Sequence, residues 1–109
     1  MKRGDIVTVA LQGDYGKPRP AVVIESDMIP PSDSILVCPI SSTLHESGPF
    51  RRQMIEASAT TGRHASSQIM VDKVTAVRRS RCGRVIGVLD RTALRELTGK
   101  VAALIGVED

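Results

Sequence analysis

At 109 residues the chain can bury one modest core and is too short for two independently stable domains, so we expect residues 1–109 to form one domain. Apolar residues make up 41% and charged residues 25%, a balance that excludes a disordered or fibrous chain. The net charge of +3 permits a polyanionic partner, but with Tyr15 and Phe50 as the two aromatic residues a base-stacking platform is excluded.

The cysteines and the hydropathy pattern bear on compartment and cofactors. Cys38 and Cys82 belong to no CxxC or Cys/His spacing, so we expect neither a zinc site nor a disulfide, and no cofactor. The first residues lead straight into a strand-like run without the apolar core of a signal peptide. No run approaches the roughly 18 apolar residues of a membrane span. The expected location is the cytoplasm, without a membrane partner.

In the first part of the chain, short β-branched runs predict three strands. Residues 5–11 predict a strand that is buried on both faces, and residues 12–20 a loop rich in Gly and Pro. Residues 21–24 and 35–40 predict the second and third strands. Pro39 lacks an amide donor, so the third strand should be an edge there or stop pairing just before Ser41.

In the second part, three more strands and a helix are predicted. Loose alternation predicts strands over residues 50–55, 69–77 and 84–89. Apolar residues then recur every three or four positions from Ala93 to Ile105, with an N-cap at Asp90 and a stop at Gly106. Many short strands and one closing helix predict a mainly β fold, a small antiparallel barrel or strongly bent sheet.

Four sequence blocks, in this order, resemble the MazF/PemK toxins, and the resemblance covers essentially the whole chain. They are Arg3-Gly4-Asp5-Ile6, Lys17-Pro18-Arg19-Pro20-Ala21-Val22-Val23, Val37-Cys38-Pro39-Ile40-Ser41-Ser42-Thr43 and Met70-Val71-Asp72-Lys73-Val74. The resemblance implies an SH3-like barrel of the CcdB/MazF/PemK type, a homodimer, and an endoribonuclease that cuts single-stranded mRNA at short motifs. It also implies a cognate MazE/PemI-like antitoxin, which binds operator DNA together with the toxin.

Metal-independent cleavage of RNA requires a base for the 2′-hydroxyl, donors for the crowded phosphorane and an acid for the leaving oxygen. Arg19 fits the second role, because a guanidinium presents forked donors to two phosphate oxygens. Ser41 stands where family members carry Thr or Ser, and its hydroxyl can donate to the same phosphate. A cluster of hydroxyls can also simply bond its own backbone, and the sequence leaves open which of residues 41–43 faces the phosphate.

Two carboxylates are candidates for the base, Asp14 and Asp72. Asp72 is flanked by apolar residues, and partial burial raises a carboxylate's affinity for a proton. Asp14 stands in a Gly-rich stretch, where Asp usually forms a turn. Some family members carry an Arg where this chain has Met70 and a His where it has Gly13, so the acid–base pair of those members cannot operate here unchanged.

Six further side chains are candidates for binding RNA, because Lys and Arg attract phosphate, and amides and hydroxyls can read unpaired bases. They are Lys17, Ser42, Thr43, Gln68, Lys73 and Arg78. The alternative for the whole chain is a non-catalytic CcdB-like barrel that inhibits DNA gyrase, or one that only binds its antitoxin and operator DNA. A gyrase inhibitor would need an exposed apolar end to its helix, whereas residues 106–109 read as polar.

Overall fold

This computed structural model describes residues 1–11 and 17–107, and within them the chain is mainly β with a C-terminal helix, which confirms the predicted fold class. Two 3₁₀ turns, Val71–Lys73 and Arg79–Arg81, connect strands. The strands and helices are β1 (Asp5–Ala10), β2 (Pro18–Val23), β3 (Ser34–Ser41), α1 (Gly48–Arg51), β4 (Arg52–Ile55), β5 (Ser67–Met70), β6 (Thr75–Arg78), β7 (Cys82–Val88) and α2 (Arg91–Ile105).

All strand pairs are antiparallel, and the strands follow the order β4-β5-β3-β2-β1-β7, with β6 also paired to β3. β3 changes partner along one of its edges. Its residues 34–37 pair with β6, whereas Ile40 and Ser41 pair with β5. Pro39 falls in the gap and pairs only on the opposite edge, with Ala21 of β2. The predicted local edge at Pro39 is therefore correct, but pairing does not stop before Ser41, which pairs with Gln68.

The run predicted as one strand over residues 69–77 is interrupted. The Ile40–Ile69 and Val37–Thr75 pairs are three residues apart along β3. Along the partner chain, from β5 to β6, they are six residues apart. The three surplus residues form the 3₁₀ turn Val71–Lys73, so Asp72 lies in a turn and not in a strand. The predicted strand 50–55 also begins later, because Pro49 suits the first turn of a helix and residues 48–51 form α1.

Alternation along the strands produces two apolar clusters, one on each face of the sheet. Ile6 and Val22 face α2 and pack with its fully buried Leu97. Val7 and Val9 point the other way and pack with residues of β2, β3 and β6. Both faces of β1 are therefore buried, as its continuous β-branched run predicts.

The caps of α2 are those that the sequence predicts. The Asp90 carboxylate accepts a hydrogen bond of 2.8 Å from the Ala93 N–H, which satisfies one of the free donors of the first turn. Gly106 ends the helix with φ at 77°, a left-handed conformation that favours glycine. No helix in the described part of the chain is long and apolar enough to span a bilayer.

Between β4 and β5 lies a segment of small residues, the 56–66 loop, which covers the outer edge of β7. The Val88 N–H donates to the Thr60 carbonyl at 2.9 Å. The two backbones then come so close that a Cβ on Gly87 would lie 2.1 Å from the Thr61 oxygen, and one on Gly62 would lie 2.0 Å from the Ile86 oxygen. The loop thus protects a strand edge that would otherwise be open to pairing with another chain.

The two cysteine thiols differ in burial and therefore in reactivity. Cys38 is fully buried in the core, and loss of hydration raises the pKa of its thiol from 9.0 to about 12. Burial also raises the pKa of Cys82, with the nearby positive charge of Arg79 acting in the opposite direction. Because the folded chain holds the Cys38 proton more tightly than the unfolded chain does, this thiol favours folding below about pH 9, and its contribution is lost between about pH 9 and pH 12.

We predict that Gly87→Ala lowers the free energy of unfolding by about 1–3 kcal/mol, because the added methyl group meets backbone atoms that cannot move aside. Gly99→Ala is the matched control. A Cβ there meets no described atom within 4 Å, and alanine is the better helix former by up to about 1 kcal/mol. Urea denaturation measures both, and a Gly87→Ala protein as stable as Gly99→Ala would contradict the close approach.

We predict that Ellman's reagent at pH 8 titrates Cys82 slowly and Cys38 only after urea is added, because Cys38 is buried and protonated. In the Cys82→Ser variant the folded protein should give no signal. Rapid reaction of both thiols without denaturant would contradict the buried position of Cys38.

Candidate active site

A cleft of about 460 Å³ lies where the end of β1, the start of β2 and the end of β3 meet the turn after β5. The cleft contains five of the residues predicted for the site, namely Arg19, Ser41, Ser42, Thr43 and Lys73. Its apolar walls come from leucine, isoleucine, methionine and proline side chains, with Leu11, Ile40 and Met70 among them. Residues from five separate stretches of sequence thus converge on one surface.

Arg19 is held on a strand and not in the predicted loop. β2 begins at Pro18, and Arg19 lies opposite Val9 of β1. Pro18 and Pro20 are tolerated because this part of β2 pairs only with β1, since β3 joins the sheet at Ala21. The extended backbone predicted for Arg19 is confirmed, and two flanking rings with fixed φ reduce the freedom that it loses on binding a ligand.

The three hydroxyls of residues 41–43, at the end of β3, are not equivalent. Ser41 Oγ accepts from the Thr43 N–H at 3.1 Å and lies 3.3 Å from the Thr43 carbonyl, so it closes a local turn. The hydroxyls of Ser42 and Thr43 make no hydrogen bond to any described residue and are exposed in the cleft. A ligand in the cleft can therefore take donors from Ser42 and Thr43 without breaking a bond, whereas Ser41 would have to exchange one.

The cleft is positively charged. Arg19, Lys73 and Arg63 line it, and no carboxylate or histidine does so among the described residues. Three cations on one concave surface create a local positive potential that attracts an anion. Arg63 was not predicted, because it stands in a loop of small residues whose folded position depends on contacts distant in sequence.

Asp72 does not face this cleft. Its carboxylate lies 3.6 Å from the Arg51 guanidinium, in a second groove against Val101 and Leu104 of α2. Successive side chains of a 3₁₀ turn are about 120° apart, which sends Asp72 and Lys73 to different sides. The two side chains of the pair are 32% and 61% exposed, so the pair contributes little to stability. Asp14, the other candidate base, lies outside the described residues.

The Gln68 side chain is buried, and its amide is already hydrogen-bonded within the protein, so it is not available to contact bases. Its Oε1 accepts from the His45 N–H at 2.9 Å and from Arg52 at 3.1 Å, while its Nε2 donates to the His45 carbonyl at 3.0 Å. These bonds fix the segment that follows Ser41. Lys17 and Arg78 are exposed, but neither lines the cleft, and Arg78 lies opposite Ser34 at the far end of β3.

The C-terminal end of α2 differs from its predicted polar character. Ile105 is 69% exposed and Val107 is 68% exposed, so apolar side chains face solvent at this end of the helix. The polar residues on which that expectation depended, 108 and 109, lie outside the described part. The composition of this terminus therefore does not separate a nuclease from a gyrase inhibitor.

Comparison with known proteins identifies the family. Residues 2–105 match the model of the PemK-like, MazF-like toxins of type II toxin–antitoxin systems. The chain is 36% identical over 108 residues, 98% of each chain, to the probable endoribonuclease MazF of Mycolicibacterium smegmatis. Among solved structures it is similar to the Mycobacterium tuberculosis toxin MazF-mt6, with a TM-score of 0.77 and 20% identity over 93% of this chain and 95% of that one.

A second solved structure is an endoribonuclease in complex with its cognate antitoxin from a mycobacterial species, with a TM-score of 0.77 and 10% identity over 100% of this chain and 98% of that one. At these identities the two structures establish the fold, whereas the family model and the M. smegmatis relative cover nearly the whole sequence. The chain belongs to the PemK-like and MazF-like family of type II toxin–antitoxin toxins.

Proposed function

We propose that the protein is an endoribonuclease that cuts single-stranded RNA without a metal ion, with the phosphate bound in the Arg19 cleft. The observation that carries this proposal is the convergence of Arg19, Lys73 and the exposed Ser42 and Thr43 hydroxyls on one cleft whose described lining holds no carboxylate. Such a set of donors complements a phosphodiester and the more highly charged phosphorane derived from it. The M. smegmatis relative, named as a probable endoribonuclease, supports the same activity.

In the proposed reaction a base removes the proton of the ribose 2′-hydroxyl, and the 2′-oxygen attacks the adjacent phosphorus. The phosphorane that forms has extra negative charge on its equatorial oxygens, which Arg19 and the hydroxyls of residues 41–43 stabilise. The bond from phosphorus to the 5′-oxygen then breaks, and the 5′-oxygen takes up a proton. The products are a 2′,3′-cyclic phosphate and a 5′-hydroxyl end, with no net change in oxidation state.

The proposal extends to partners and location. A cationic cleft of this kind also suits an acidic segment of a cognate MazE/PemI-like antitoxin, which would compete with RNA for it. We further propose a homodimer, binding of operator DNA by the toxin–antitoxin complex, and a cytoplasmic location. The gyrase-inhibiting alternative has less support, because the nearly full-length relative carries an endoribonuclease name.

We predict that the wild-type protein cuts a long single-stranded RNA at discrete positions in EDTA, and that Arg19→Ala lowers the rate at least about a hundredfold, as removal of one transition-state donor typically does. Arg95→Ala is the matched control, because it removes one arginine from α2, away from the cleft. RNA with a 2′-methoxy group at the cut position should resist cleavage. Absence of cutting by the wild type, or equal cutting by Arg19→Ala, would contradict the proposal.

The base can be assigned by comparing two carboxylate variants. We predict that Asp14→Asn loses cutting, because Asp14 belongs to the segment that joins Leu11 to Pro18, two residues of the cleft lining. Asp72→Asn should retain it, because that carboxylate pairs with Arg51 in the other groove. Initial cutting rates as a function of pH measure both. Loss of cutting in Asp72→Asn alone would restore Asp72 as the base.

A further inference from the structure

Arg63 reaches the cleft from the 56–66 loop, which contains no residue of the predicted site. Its Nε donates to Ser67 Oγ at 3.3 Å, and Ser67 is fully buried at the start of β5. Ser67 Oγ in turn donates to the Ala65 carbonyl at 3.0 Å. The buried Ser67 hydroxyl therefore fixes the orientation of the Arg63 side chain at its Nε.

The outer nitrogens of Arg63 have no partner among the described residues, because Nε makes the side chain's contact there. Arg63 is partly buried and lines the cleft that contains Arg19 and Lys73, as well as a shallow groove of its own loop, so a ligand in the cleft can reach its four outer N–H donors. Three cations repel one another, and an arginine with a purely structural role would be expected to pair with a carboxylate or a carbonyl. An anion that enters the cleft can accept these donors without displacing a described partner of the Arg63 outer nitrogens.

The loop that carries Arg63 is anchored immediately before it. Gly62 packs against the Ile86 oxygen, and Ser58 and Arg63 form a β-bridge across the loop. A hydroxyl network adds to this, since Thr61 Oγ1 donates to the Glu56 carbonyl at 2.9 Å and the Thr61 N–H donates to Ser58 Oγ at 3.0 Å. A side chain presented from so constrained a loop loses little freedom on binding.

We infer that Arg63 is a substrate-binding residue, which holds a phosphate of the single-stranded RNA next to the one bound by Arg19. The inference depends on the proposed function, because it assigns a second phosphate subsite within the same cleft. A guanidinium whose two outer nitrogens are available as one fork is suited to a backbone phosphate, and two adjacent phosphates require cations on two walls of the cleft. β2 supplies one and the 56–66 loop supplies the other.

The test measures binding of a mixed-sequence 2′-O-methyl oligoribonucleotide, which cannot be cut, at several salt concentrations. Arg63→Gln should weaken binding about tenfold, as loss of a charged hydrogen bond does. It should also reduce the slope of log K against log salt by about 0.7, the value for one phosphate contact on a single strand. Arg63→Lys should keep the wild-type slope, because it keeps the charge.

Both Arg63 variants lose the Nε bond to Ser67, so a purely structural role would affect them equally. Arg95→Ala, which removes a charge outside the cleft, should leave affinity and slope unchanged. An unchanged slope in Arg63→Gln, or the same loss of slope in Arg63→Lys, would overturn the assignment, and thermal melting shows whether each variant is folded.

The two proposals can fail separately. If the wild type cuts RNA and Arg63→Gln binds as the wild type does, the second subsite is wrong and the nuclease stands. If the wild type binds RNA but does not cut it, the nuclease proposal fails and the slopes still decide the role of Arg63. If the wild type does not bind the oligonucleotide, both fail.

Discussion

The partner change along one edge of β3 is the constraint on which the rest of the structure depends. β6 pairs with the first half of this edge and β5 with its end, and Pro39, which has no N–H to donate, occupies the gap. The chain between the two pairings has three residues more than a continuous ladder needs, and they fold into the turn Val71–Lys73. That turn places Lys73 in the cleft and Asp72 against α2.

The cleft combines rigidity with positive charge. Arg19 stands between two prolines on a strand, Ser41 is locked into a turn, and Gln68 fixes the segment that follows. Groups held in this way keep their geometry in the absence of ligand, so that less conformational entropy is lost when an anion binds. The same rigidity suits the proposed cleavage of RNA, because fixed donors can favour a phosphorane over the phosphodiester from which it forms.

Protection of a strand edge and construction of the site are linked through two glycines. The contact of Gly62 and Gly87 brings the 56–66 loop onto β7, where it covers open backbone groups. The next residue after Gly62 is Arg63, so the position of this guanidinium follows from how closely two backbones approach. A side chain on either glycine would displace both the loop and the cation.

Local patterns in the sequence determined the elements that depend on neighbouring residues. The β-branched runs located β1 and β3, and the spacing from Ala93 to Ile105 located α2 between Asp90 and Gly106, because strand alternation, helical periodicity and capping each act over a few residues. The resemblance in four blocks added the family and brought Arg19, Lys73 and the hydroxyls of residues 41–43 together. Only the tertiary structure decided that Asp72 faces α2 and that Arg63 lines the cleft. It also decided that the Gln68 amide is hydrogen-bonded to the backbone of His45. These three outcomes depend on a three-residue register shift, a buried hydrogen-bond network and a contact between glycines 25 residues apart, and no local pattern encodes any of them.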